Sequence, residues 1–108
     1  ALLALLDPDV VLRADHAAVL MSAGRQAAGA PQLTREVRGA ATVADTFAGR
    51  ARFAQPALVN GAVGAMWASG GKPRIVFSFT ILRGLIVAME IIADSARLDQ
   101  LDVVSLTD

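Results

Sequence analysis

A single histidine occurs in the 108 residues, and it directly follows an aspartate, as Asp15-His16. An Asp beside a His is the smallest unit that can orient an imidazole for general acid–base work, so this pair is the candidate catalytic dyad. Neighbours on a strand point to opposite faces, so the two can cooperate only where the strand has ended. A lone histidine at a strand end is ordinarily a surface group, and the preferred expectation is that no residue here is catalytic. Two more carboxylates flank apolar sequence. Asp94 (or Ser95) suits the N-cap of a short helix, and Glu90 is expected to face solvent. With no cysteine and one histidine, only scattered carboxylates remain, so no metal set and no disulfide is expected. Gly70-Gly71 lacks the length and the Lys-Ser/Thr pair of a phosphate-binding loop, and no cofactor is expected. A different chemistry is open to Trp67, Phe77, Phe79 and Met89. These could line a pocket for a small apolar ligand, although the same residue types more commonly form plain core.

Charge narrows the partners. Ten basic and ten acidic residues cancel. A neutral domain has no general attraction to nucleic acid, and Arg50 and Arg52 read as the solvated face of a helix. The length suits one domain with one real core. The start, ALLALLDPD, has no basic n-region, too short an apolar run for a signal peptide and no initiator Met. It reads as the last turns of a helix cut from a longer chain and stopped by Asp7-Pro8. The absence of cysteine fits a reducing cytoplasm.

The elements that must position these residues centre on the apolar run from Ile75 to Ala93. A membrane span needs about 20 mostly apolar residues with no charge at its centre. Here Arg83-Gly84 stands in the middle and Glu90 follows, and a mid-span Arg costs about 2.5–3.5 kcal/mol. The run is rich in β-branched and aromatic residues, which predicts two strands. Gly84 can supply the left-handed backbone of a turn at Leu82-Arg83-Gly84, so the run predicts a β-hairpin. A two-residue turn, Arg83-Gly84, pairs Phe77 with Glu90. A three-residue turn pairs Phe77 with Met89 and Phe79 with Val87. The latter is favoured, because it gathers Ile75, Phe77, Phe79, Ile81, Leu85, Val87, Met89 and Ile91 on one face.

Around the hairpin, VVLRAD (10–15) predicts a strand. His16 to Pro31 is weakly helical by its alanines, with Gly24 and Gly29 as interruptions. LTREVRG (33–39) predicts a second strand. AATVADTFAGRARFAQP carries Val43, Phe47 and Ala51 at i, i+4 and i+8, an amphipathic helix closed by Pro56. Asn60-Gly61 predicts either a hairpin or a bulge in one strand. Ser69 to Pro73 is a turn, and DSARLDQLDVV predicts one or two helical turns with Leu98 and Leu101 inward. Helices on one side of a curved, mostly antiparallel sheet make an α+β fold.

Three segments together carry a family likeness: LLALLDPDVVLRAD, EVRGAATVADTFAGRARFAQPALVNGAVG and PRIVFSFTILRGLIVAMEIIADSARLDQLDV. In this order and spacing they resemble the SnoaL-like, nuclear-transport-factor-like domain at the C-terminus of certain bacterial extracytoplasmic-function RNA polymerase sigma factors. Three positions depart from the usual pattern: Arg83-Gly84 stands for Asp-Gly, Ser95 stands for Pro, and His16-Ala17-Ala18 replaces a glycine cluster. The resemblance implies a cone-shaped, cystatin-like α+β fold over residues 1–108 as one domain. It also implies a regulatory role beside the sigma-factor core regions of the same chain and, through them, RNA polymerase. The alternative is a stand-alone small-molecule enzyme of the isomerase or cyclase type on the same fold. The sheet face bearing Val76, Leu82 and Ile92 is unusually apolar. It is expected to meet another surface, either a second copy in a homodimer or the sigma regions.

Overall fold

The computed structural model describes residues 2–23, 34–50 and 54–106. A short helix, α1 (Leu2–Leu5), leads into strand β1 (Leu6–Ala14), followed by helix α2 (His16–Ala23). Strand β2 (Glu36–Arg38) and helix α3 (Ala40–Arg50) come next. Four consecutive strands then run β3 (Gln55–Val59), β4 (Ala62–Ser69), β5 (Lys72–Leu82) and β6 (Leu85–Ile92). A turn of helix, α4 (Ser95–Leu98), and strand β7 (Val103–Ser105) complete the described chain. The described strands form one seven-stranded sheet in the order β2-β1-β6-β5-β4-β3-β7. Every pairing is antiparallel except β1 with β6. The α+β class expected from the sequence is therefore observed.

Alternation along β4, β5 and β6 divides the side chains between two faces. The first carries Ala65, Phe77 and Ile91, which are partners across the three strands. On it α2 and α3 pack through Ala18, Val43 and Phe47, around Val10, Leu12, Phe77, Met89 and Ile91. The ring of Phe47 meets Phe77 edge-on at 5.2 Å and Phe79 at 5.6 Å. The expected burial of the aromatic strand against the helix of Val43 and Phe47 is thus found. The helix itself is Ala40–Arg50, and Ala51 lies outside the described residues. Pro56 does not close it: Pro56 sits in β3 opposite Ala65, where a fixed φ is compatible with extended backbone. Helix α2 begins at His16 as its alanines suggested, whereas Gly24 and Gly29 lie outside the described residues.

The opposite face corrects an expectation. Val76 and Ile92 are fully buried, with Ala57, Val59 and Met66, beneath Leu98, Leu101 and Val103. The chain's own C-terminal segment covers the patch expected to meet a second copy or the sigma regions; only Leu82 of that trio is exposed. Helices therefore lie on both faces of the sheet, not on one. Leu98 and Leu101 do face inward, and Val103 continues the same cover as a strand, β7, which the sequence reading had not separated from the helical turns. Polar bonds pin the segment. Asn60 and Asp102 exchange two hydrogen bonds, 2.7 Å from the Asn60 amide to the Asp102 carbonyl and 2.9 Å from the Asp102 amide to Asn60 Oδ1. The backbone cannot take a side chain at Gly64 without rearrangement. A Cβ there would run into the carbonyl oxygen of Phe77 and stand 2.9 Å from Cγ2 of Val59.

The β5–β6 register also departs from expectation. Leu82 pairs with Leu85, so the turn is the two-residue Arg83-Gly84 and not the favoured three-residue one. A bulge at Val87 then shifts the pairing, so that Phe79 meets Met89 and Phe77 meets Ile91. The bulge restores Phe77, Phe79, Met89 and Ile91 to one face. Between bulge and turn it exchanges the faces, placing Ile86 in the core in place of Leu85 and Val87. Asn60-Gly61 makes a second two-residue hairpin, settling the choice left open between hairpin and bulge.

Arg83 stands in this turn at φ +55°. A two-residue hairpin turn wants left-handed backbone at both central positions, and asparagine, aspartate or glycine takes it most readily. For an arginine the conformation costs about 1 kcal/mol. The substitution Arg83→Asn is accordingly expected to stabilise the chain by up to ~1 kcal/mol. A urea-denaturation midpoint that fails to rise would show that the arginine is not strained there.

Candidate functional site

Asp15 begins where β1 ends. Its amide donates to the Ile91 carbonyl at 3.0 Å, which continues the parallel β1–β6 pairing by one step. The chain then turns into α2, and Asp15 serves as its cap: Oδ1 accepts the Ala18 amide at 2.8 Å. Oδ2 accepts two more amides, those of Ala93 and Asp94, each at 3.0 Å, from the far end of the chain. The Arg97 guanidinium stands 3.5 Å from the same oxygen, and the Asp15 side chain is only 9% exposed. Both oxygens are committed to backbone donors, so the carboxylate is a structural knot joining β1, α2 and the exit of β6. His16 is exposed on the first turn of α2. The strand has ended between them, as a dyad would require, but the Asp15 oxygens are turned to the amides of residues 18, 93 and 94.

Arg97 extends this knot outward. It donates to Glu90 Oε2 at 2.8 Å, on the face opposite Phe77. The hydrogen bond it donates to Glu90 is the main influence holding the guanidinium above its ordinary pKa; partial burial works against it, and the charges of Glu90, Asp15 and Asp94 add to it. Asp94 caps α4 as expected, accepting the Arg97 amide at 3.0 Å. Beside the same end of β1, Arg13 and Arg38 both donate to the exposed Glu36 of the edge strand β2, at 3.3 and 2.8 Å. The Arg38 hydrogen bond is the leading cause that lowers the Glu36 carboxyl below its ordinary range. An exposed cluster of this kind contributes little to stability.

The four aromatic and thioether residues take three different places. Phe77 and Met89 are core, 2% and 3% exposed. Phe79 lies at the edge of that core and also forms part of the wall of a cavity of about 440 Å³. Trp67 lies opposite Ile75, on the same face as Ala65 by alternation, half-buried and off the cavity wall. The cavity lies between α3 and the first sheet face, with Phe47, Ala65, Phe79 and Ile86 at its floor. Leu5, Val63 and Ile81 stand in its wall while remaining half exposed, at 53%, 54% and 52%. Among the described residues, none in the wall is titratable or carries a side-chain hydrogen-bonding group. The sequence reading missed Phe47, Ala65 and Ile86 as wall residues. The stripe of Val43 and Phe47 was a usable signal for the first, whereas the other two depend on strand register.

Among the described residues no cluster of histidine, cysteine and carboxylate side chains could hold a metal ion, and no helix is long and apolar enough to cross a membrane.

A mixed α+β domain of one sheet, with an apolar cavity on one face and a self-covered patch on the other, is the class these features define. No protein-family model and no curated protein matches the chain. Its structure is similar to the crystal structure of the extracytoplasmic function sigma factor SigJ of Mycobacterium tuberculosis, with a TM-score of 0.60 and 25% sequence identity. The match covers 91% of this chain and 37% of that one, so the chain spans little more than a third of the sigma factor's length.

Proposed function

We propose that this chain is a regulatory, protein-interaction domain of an extracytoplasmic-function sigma factor, with the cone-shaped SnoaL-like fold. On this reading it works in the cytoplasm and turns over no substrate. It acts on the sigma-factor core regions of the same parent chain and, through them, on RNA polymerase, with the apolar cavity as a pocket for a small ligand. The observation that carries the reading is the likeness to the SigJ structure over 91% of the chain. The chemistry of the cavity supports it: an acid–base enzyme needs a titratable group at the reacting atoms, and the described wall offers apolar groups alone. A net charge of zero gives the domain no independent grip on DNA.

Regulation of this kind needs only a differential contact between two states of the parent protein. A bias of about 1.4 kcal/mol changes a small active fraction tenfold. In vitro transcription from a cognate promoter tests the proposal, comparing the complete sigma factor with a version lacking residues 1–108. A change of several-fold is expected on removal. Equal transcription by the two would refute the regulatory role. Turnover of a substrate by the 108-residue chain, lost on changing Asp15 or His16, would replace it with the isomerase or cyclase alternative.

A further inference from the structure

We infer that the cavity, taken as the ligand pocket proposed above, binds an amphipathic monoanion: an alkyl chain headed by a carboxylate, with Arg83 receiving the head at the mouth. The wall sets the first requirement. Its described residues offer no side-chain donor or acceptor. A polar group carried to the floor, against Phe47, Phe79 and Ile86, would lose its water with nothing in exchange. The buried part of a ligand must therefore be hydrocarbon, and any polar end must stay at the mouth. About 440 Å³ is within the size range of small-molecule pockets and accommodates a medium-length alkyl chain.

The mouth sets the second requirement. Ile81 and Gly84 belong to the wall, and Arg83 stands between them in sequence, at the tip of the β5–β6 hairpin. Arg83 is exposed and makes no ion pair or side-chain hydrogen bond among the described residues, unlike Arg13, Arg38 and Arg97. Asp7 is the acidic residue next to the mouth in sequence, two positions from Leu5, and its Oδ1 is engaged by the Asp9 amide. Asp7 keeps its negative charge but forms no ion pair among the described residues, and the cation beside the mouth is the unpaired guanidinium of Arg83, whose planar donors match a carboxylate. The arginine also holds a left-handed φ that other residues adopt more easily. Backbone strain kept at the edge of a cavity is an observation from which function can be inferred, and here the side chain supplies the reason for it.

The test is calorimetric titration of the 108-residue chain with decanoate and with decyltrimethylammonium, which has the same tail and the opposite charge. Saturable binding of decanoate is expected, at least tenfold tighter than the cation. Arg83→Asn should weaken decanoate about tenfold while leaving the chain folded, and Arg83→Lys should recover most of the loss. Ala65→Leu, which fills the cavity floor, should abolish binding of both. Equal affinity for the two heads, decanoate binding unchanged in Arg83→Asn, or no saturable binding of decanoate by the unaltered chain would each overturn the inference. If Ala65→Leu fails to fold, the Arg83 pair decides alone. Binding is read without polymerase, so failure here leaves the transcription comparison standing, and failure there leaves this result standing.

Discussion

Replacing Phe77 with alanine is expected to cost about 3–5 kcal/mol, the range for truncating a buried aromatic. Phe77 is 2% exposed and lies at the centre of the first sheet face, with Ala65 and Ile91 opposite it on the neighbouring strands. Its ring receives the edge of Phe47 at 5.2 Å, which joins α3 to the sheet. Truncation removes that contact and leaves a void among groups held by backbone pairing on both sides, so little collapse can refill it. In a domain near this size each kcal/mol shifts the melting temperature by roughly 4–8 °C. Thermal and urea unfolding of Phe77→Ala beside Phe77→Leu measure the effect. A loss under about 1 kcal/mol for alanine would show that α3 does not depend on this ring.

Asp15→Ala is expected to destabilise the chain by about 3 kcal/mol or more. The substitution strips a partner from three backbone amides, those of Ala18, Ala93 and Asp94. Loss of the helix cap alone is worth about 1 kcal/mol. Each poorly hydrated amide left without an acceptor adds about 1–3 kcal/mol. The Arg97 ion pair adds less, since that guanidinium is 43% exposed. Hydrogen exchange separates this from a general loss of stability: protection should fall first at Ala93 and Asp94, where the chain leaves β6. If Asp15→Ala unfolds at the same urea concentration as the unaltered chain, the carboxylate is not a structural knot, and its pairing with His16 as a catalytic dyad would merit direct assay.

Local patterns in the sequence determined much of this domain. Val43 and Phe47 four apart on a helix, and Phe77 and Phe79 two apart on a strand, define two apolar faces whose packing together is observed. Asn60-Gly61 and Arg83-Gly84 turn the chain because glycine, and asparagine beside it in the first, accepts left-handed backbone. Asp94 caps α4 through an amide three residues away, a contact short enough to be read from residue types. Arg83 at the centre of the apolar run correctly pointed to a hairpin and away from a membrane helix.

Tertiary structure decided the rest, and in each case the deciding contact joins distant parts of the chain. The bulge at Val87 is one extra residue with no sequence mark, yet it exchanges the faces of everything between it and the turn, because side chains alternate strictly. That exchange puts Ile86 into the cavity wall. The parallel pairing of β1 with β6 brings Asp15 to amides 78 and 79 residues ahead of it, an anchoring contact that residue types alone do not reveal. Leu98, Leu101 and Val103 fold back over Val76 and Ile92, so a patch that looked free for a partner is closed by the chain itself. Residue types report what each segment can bury; which surface buries it follows from strand order and register, and those are set by the sheet as a whole.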